Sequence, residues 1–364
     1  RLPQGVVELR QPQQRACLSE RISGRCGGLF GCAGEEHGER DRVRGGDGVG
    51  TPVAGAVSGA DDRVRDRAVG NLPRRRLRLR GRYSHSEVVF EPGDGVVLTD
   101  PGYPCNANFV RRAGGEPQWI PVVAEQGYRL TAAAVAGHWR ANTVSAWLAS
   151  PANPTGAVLD ADALGELAAE VSRRRGTLVV DEIYHGLIYD GPETSVLEVA
   201  ADAFVINSFS KYFGMTGWRL GWLVVPPRFV RDVEKLAQNL FISPSTPAQH
   251  AALAAFRPET IDLLEARRAE FQSRRDYLLP ALRQLGFRIP TEPHGAFYLY
   301  ADCSDLAQDS HTFAHALLEQ AGVAITPGLD FGENAPQRHL RFAYTVARRK
   351  LEDGVARLAH HLGK

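Results

Sequence analysis

Asn207-Ser208-Phe209-Ser210-Lys211-Tyr212-Phe213-Gly214-Met215-Thr216-Gly217-Trp218-Arg219-Leu220-Gly221-Trp222 follows directly on the apolar run Phe204-Val205-Ile206. A short apolar run bounded by turn residues suits a buried strand. A lysine just beyond such a strand stands where open α/β sheets gather their ligands. The residue type is itself informative, because of 43 basic residues in the chain only Lys211, Lys235, Lys350 and Lys364 are lysines. The other 39 are arginines, so Lys211, set in a serine-rich turn, is read as supplying an amine. An amine that sheds its proton can form a Schiff base with an aldehyde, which a guanidinium cannot.

Working outward, Gly95–Thr99 reads as a buried strand ending at Asp100-Pro101-Gly102. Short apolar runs recur at Ile120–Val123, Val144–Leu148, Leu178–Val180, Phe204–Ile206 and Leu220–Val225, and helical patterns separate several of them. Asp160–Arg175 is one such pattern, with apolar residues at 164, 167, 168 and 171. Buried strands alternating with helices predict an α/β layer with a mostly parallel sheet. A long amphipathic helix is expected from about Glu259 to Gly286. After it come a strand at Ala296–Tyr300, a helix near His311–Gln320, strands at Val323–Thr326 and Leu340–Tyr344, and a closing helix. The expected division is a large domain at 87–255, then an interdomain helix and a small α+β domain at 256–364, after an atypical segment at 1–86. No internal repeat is seen.

Composition narrows the classes further. The 364 residues suffice for two cores, and the overall charge of +1 conceals a split. Residues 1–86 carry 17 arginines against 10 carboxylates and no lysine, with Phe30 and Tyr83 as the only aromatics. Such a segment has little to bury and is expected to be poorly ordered. Gly45–Gly50 fits neither phosphate-loop spacing, so it reads as a loop. The run Arg74–Arg80 lacks a recognition helix or stacking aromatics, so no nucleic-acid partner is expected. Five cysteines without CxxC spacing argue against a disulfide framework or a zinc site, and no metal is expected. No segment approaches the roughly 18 apolar residues that span a membrane, and residues 1–30 lack a signal-peptide core. The expectation is a cytoplasmic protein without a membrane partner.

The chemistry-bearing residues fall at strand ends. Asn153-Pro154-Thr155-Gly156 follows Val144–Leu148, Asp181 closes Leu178–Val180 with Tyr184 three residues on, and Ser208 and Lys211 follow Phe204–Ile206. Each has a plain structural reading: NPTG is a good turn, an Asp after a strand often caps a helix, and SxxK recurs by chance. The order in which they occur is what carries function.

That order resembles the class I/II (fold-type I) aminotransferases, enzymes that use pyridoxal 5′-phosphate. The resemblance covers about residues 88–364. It rests on Phe90-Glu91-Pro92-Gly93-Asp94, DPGYP (100–104), SPANPTG (150–156), VVDEIYHGL (179–187), the 207–222 stretch, GAFYLY (295–300), TPGLDFG (326–332) and LRFAY (340–344). It implies a fold-type I large domain with a smaller C-terminal domain, and a homodimer. Lys211 is implied to hold the cofactor aldehyde and, once displaced, to act as the general base. Asp181 is implied to pair with the pyridinium nitrogen, Asn153 and Tyr184 to bond the ring oxygen, and Tyr103 to stack on the ring. Ser208 and Arg219 are implied to bind the phosphate, Ser210 has the alternative of facing the neighbouring structure, and Arg341, together with Asn153, is implied to take the substrate α-carboxylate. Arg338 lies outside the LRFAY pattern.

The implied activity is transfer of an amino group between an L-amino acid and a 2-oxo acid. A carbon–sulfur β-lyase of the same fold shares these contacts and stands as the alternative, as does a catalytically impaired relative. His185 is expected to be a packing or hydrogen-bonding residue, Cys105 no nucleophile, and Trp218 and Trp222 core. The family's N-terminal arm and the remainder of its phosphate cradle belong upstream of Phe90, and residues 1–86 do not match them. Two origins fit that Arg- and Gly-rich, Lys-free text: a reading-frame change in a G+C-rich gene, or a divergent extension.

Overall fold

The computed structural model describes residues 89–364, Phe241 apart, together with Val7–Glu8. The expectations for the rest of residues 1–86 lie outside the described residues. Val7–Glu8 (β1) pairs in parallel with Val323–Ala324, a contact the composition of that segment did not suggest.

Six strands form the large sheet: β2 (Gly95–Asp100), β3 (Glu116–Pro121), β4 (Thr143–Ala149), β5 (Thr177–Asp181), β6 (Phe204–Ser208) and β7 (Gly221–Val224). Their order is β3-β2-β4-β5-β6-β7, with every pairing parallel except the antiparallel β6–β7 edge. Apolar runs in β2, β4 and β5 are buried on both faces, as a covered parallel sheet requires. One face, with Val97, Leu148 and Val205, packs on Leu164, Leu167 and Val171 of the helix Ala161–Arg173. That helix starts where Asp160 accepts the backbone N–H of Ala163 at 2.9 Å.

The helix Pro258–Gln284 has 27 residues and is about 40 Å long. Its C-terminal half joins the second core through Leu278, Leu279 and Leu282. That core also holds β8 (Tyr298–Asp302) and β11 (His339–Ala343), which with β10 (Thr326–Pro327) make a three-stranded antiparallel sheet in the order β10-β11-β8. The helices Ser310–Ala321 and Arg348–His361 complete this part.

Several expectations need correction. β3 starts at Glu116, well before Ile120, because only one face of this edge strand is buried and its apolar signal is confined to the strand end. The single strand expected at Val323–Thr326 is two, since the chain changes partners at Ile325, from β1 to β11. Trp218 is 49% exposed: residues 216–218 form a 3₁₀ turn, so strand alternation does not extend to it. Helices at Pro104–Arg112, Ala132–His138, Val230–Leu240 and Thr246–Ala255 were not expected. Ala132–His138 is Ala-rich and buries only Val135, which leaves no apolar stripe to read. Among the described residues no helix is long and apolar enough to cross a membrane.

Candidate active site

The parallel strands deliver their following residues to one edge of the sheet. β2 leads to Tyr103, β4 to Asn153, β5 to Asp181 and Tyr184, and β6 to Ser208 and Lys211. The turn after β6 is closed locally: the Ser210 N–H donates to Ser208 Oγ at 2.9 Å, and the Thr216 hydroxyl donates to the Ser210 carbonyl at 2.5 Å. Arg219 then takes a left-handed conformation, φ 53° and ψ 47°, and donates to the Thr216 carbonyl at 3.0 Å. The antiparallel return of β7 sets Gly221 opposite Ser208. A Cβ at Gly221 would sit 2.8 Å from the Asn207 carbonyl and 2.9 Å from Ser208 Cβ, so this close approach needs glycine.

Arg341 comes from β11 and is fully buried. It donates to Asn153 Oδ1 at 2.7 Å, and its guanidinium lies 4.2 Å from the centre of the Tyr298 ring and 4.8 Å from that of Phe331. Tyr184, also buried, shares a hydroxyl–hydroxyl hydrogen bond of 2.6 Å with Tyr298. Lys211 Nζ stands 5.5 Å from the Tyr184 ring centre and 6.0 Å from that of Phe297. Tyr103 occupies the N-cap position of the helix Pro104–Arg112 and remains 39% exposed.

Charge follows from this packing. Burial pulls the Lys211 amine down to about 8; Asp181 opposes that shift, while Arg341 and Arg219 add to it. Burial pushes Asp181 up to about 6, against the Ile183 N–H that its Oδ1 accepts at 3.0 Å and against Lys211. The Tyr184 phenol is held above its ordinary value by burial and then by Tyr298. Burial lowers the proton affinity of Arg341, although a guanidinium stays charged throughout the physiological range.

Lys211, Asp181, Tyr184, Asn153 and Arg341 are thus brought together, with Ser208 and Arg219 at the Lys211 turn. Arg338 is separate, on the surface and bonded to Asp302 at 2.7 Å. His185 lies 3.5 Å from Glu182 and 3.8 Å from Glu193, within a carboxylate cluster of its own. Sequence reasoning had assigned no part to Phe297, Tyr298 or Phe331. All three fall in the GAFYLY and TPGLDFG motifs, which were the available signal.

Residues 83–358 match the family described as aminotransferase class I and II. A valine–pyruvate aminotransferase from Mycobacterium tuberculosis is 38% identical over 76% of this chain and 71% of its own. Among solved structures, an aminotransferase from Mycobacterium tuberculosis is 38% identical with a TM-score of 0.73, covering 76% of this chain and 72% of its own. A structure described as a putative aminotransferase from Silicibacter pomeroyi is 42% identical with a TM-score of 0.71, covering 76% and 73%. These relatives support transamination over the β-lyase alternative. The chain belongs to the class I and II aminotransferases, the pyridoxal 5′-phosphate-dependent enzymes that exchange amino groups between amino acids and 2-oxo acids.

Proposed function

We propose that the cluster around Lys211 is the transamination site. The observation that carries this reading is the convergence of Asp181 and Lys211, from the ends of the neighbouring strands β5 and β6, with the buried Arg341 that bonds Asn153 at 2.7 Å; burial lowers the amine to about 8 and raises the carboxylate to about 6. This donor set fits pyridoxal 5′-phosphate: an amine for the aldehyde, a carboxylate for the ring nitrogen, a buried amide and phenol for the ring oxygen, and a serine turn with a guanidinium for the phosphate. When bound, that cofactor supplies an electron sink for the pair left by breaking the substrate Cα–H bond.

The chain's own residues do the rest. Lys211 Nζ, neutral in a large fraction of molecules near pH 8, would hold the cofactor aldehyde and, once the substrate amine has displaced it, would carry the proton leaving the substrate Cα. Asp181 keeps a proton on the ring nitrogen. Tyr184 and Asn153 orient the ring oxygen, and Tyr103 covers the ring. Ser208 and Arg219 bind the phosphate, a fork-shaped guanidinium being suited to that anion. Arg341, together with Asn153, takes the α-carboxylate, and the Tyr298 and Phe331 rings that flank the guanidinium limit its access to water.

The same reading divides the chain into a cofactor-binding domain at 87–255 and a smaller one at 256–364. It makes the enzyme a homodimer on family grounds, and a cytoplasmic one on the number and spacing of its cysteines. Sedimentation at equilibrium giving a monomer mass would overturn the homodimer. The activity is tested by adding single amino acids to the cofactor-loaded chain. Loss of the pyridoxal absorbance with gain of the pyridoxamine absorbance, abolished in Lys211→Ala, is expected. Absence of that conversion with every amino acid offered, or its persistence in Lys211→Ala, contradicts the reading.

A further inference from the structure

Tyr298 opens β8 and is fully buried, with its position over-determined. Ala296, two residues earlier, has φ 61°, a strained value for a residue with a side chain. Its carbonyl accepts the hydroxyls of Tyr189 and Tyr344, and its N–H donates to the Leu187 carbonyl at 2.9 Å. The chain is therefore held where it enters β8, and the phenol of Tyr298 has a fixed course. That phenol meets two members of the site. Its hydroxyl is 2.6 Å from the Tyr184 hydroxyl, and its ring centre is 4.2 Å from the Arg341 guanidinium, although Tyr184 lies near the middle of the chain and Arg341 near its C-terminus.

We propose that Tyr298 is a positioning residue of the transamination site: its O–H donates to Tyr184 and fixes that phenol as a donor toward the cofactor ring oxygen, while its ring seats Arg341 for the substrate carboxylate. The inference rests on the assignment of Tyr184 and Arg341 above. A phenol has one O–H. If Tyr184 spends its proton on the ring oxygen, the bond it shares with Tyr298 must be donated by Tyr298. An accepted bond polarises the Tyr184 O–H and makes it the stronger donor, through hydrogen-bond cooperativity. A stronger donor favours the deprotonated ring oxygen and keeps the cofactor–Lys211 linkage ready for attack at lower pH. The ring acts separately, since a guanidinium over an aromatic face is held by the ring quadrupole whether or not the hydroxyl is present.

The two contributions separate in two variants of the full-length, cofactor-loaded chain. The readouts are the pH midpoint of the cofactor's visible absorption and the dissociation constant of isovalerate, a carboxylate without an amine. Tyr298→Phe is expected to raise the midpoint by roughly half to one pH unit and to change isovalerate affinity by less than about twofold. Tyr298→Leu is expected to raise the midpoint equally and to weaken isovalerate about five- to thirtyfold. Tyr184→Phe tests the underlying assignment and is expected to raise the midpoint by itself. Tyr298→Phe added to Tyr184→Phe is expected to raise it no further. A Tyr298→Phe midpoint equal to wild type, or an equal further rise on the Tyr184→Phe background, overturns the role of Tyr298 and leaves the Tyr184 assignment standing. A midpoint unmoved by Tyr184→Phe removes both. The Phe variant alone decides the hydroxyl's part should the Leu variant not fold.

Discussion

Among single residues, Lys211 and Asp181 are each displaced toward neutrality by burial. The displacement has a consequence for stability. Between about pH 4 and 6 the folded chain retains a proton on Asp181 that the unfolded chain has released, so stability falls as pH rises through that window. Above it the full cost of a buried carboxylate is present. Asp181→Asn is therefore expected to raise the melting temperature of the cofactor-free chain at pH 7 and to leave it unchanged below about pH 4. The same variant is expected to lose activity by on the order of a hundredfold or more, because an amide does not hold the ring nitrogen's proton. Equal melting curves for both proteins at pH 7 would count against the burial argument. Lys211 and Asp181 were legible in sequence because a rare lysine and a strand-ending carboxylate are local features. Tyr298 was not, since its meaning comes from Tyr184, 114 positions away.

At the scale of elements, the turn between β6 and β7 presents both Ser208 and Arg219, and it depends on how closely the two strands approach. Gly221→Ala places a methyl group 2.8 Å from the Asn207 carbonyl, and neither backbone nor Ser208 Cβ can retreat as a flexible side chain would. The expected result is a loss of about 1–3 kcal/mol in unfolding free energy, read from urea denaturation. Cofactor affinity should also weaken, since Ser208 moves. Unchanged stability together with unchanged affinity would show that the turn does not depend on this contact. Elements with strong apolar patterns were readable to within a residue or two: β2, β4, β5 and the helix capped by Asp160. Short elements were not. β1, β9 (Val323–Ala324) and β10 have two residues each, and a partner exchange at Ile325 carries no periodic signal.

At the scale of the whole molecule, the end of β2 holds the segment that carries Phe331. Asp100 is 4% exposed, and its carboxylate accepts the Glu333 N–H at 3.0 and 3.2 Å. The Gly102 N–H donates to the Phe331 carbonyl at 2.8 Å. Phe331 in turn lies against Arg341, so this latch fixes one wall of the proposed carboxylate site. Asp100→Ala is expected to raise KM for the amino acid about tenfold with a smaller effect on kcat, from loss of a charge-assisted bond of about 1.5 kcal/mol. An unchanged KM would exclude the latch from substrate binding. The overall class, a mostly parallel sheet with a smaller antiparallel part, was readable from the order of strands and helices. How the two parts meet was not, because Asp100 finds Glu333 only 233 positions later. The chain has four lysines, so the one that holds the cofactor can be identified directly. Borohydride reduction of the cofactor-loaded chain, followed by peptide mass analysis, is expected to leave a pyridoxyl group on the peptide containing Lys211. A label on Lys235, Lys350 or Lys364 instead, or on no lysine, would contradict the account.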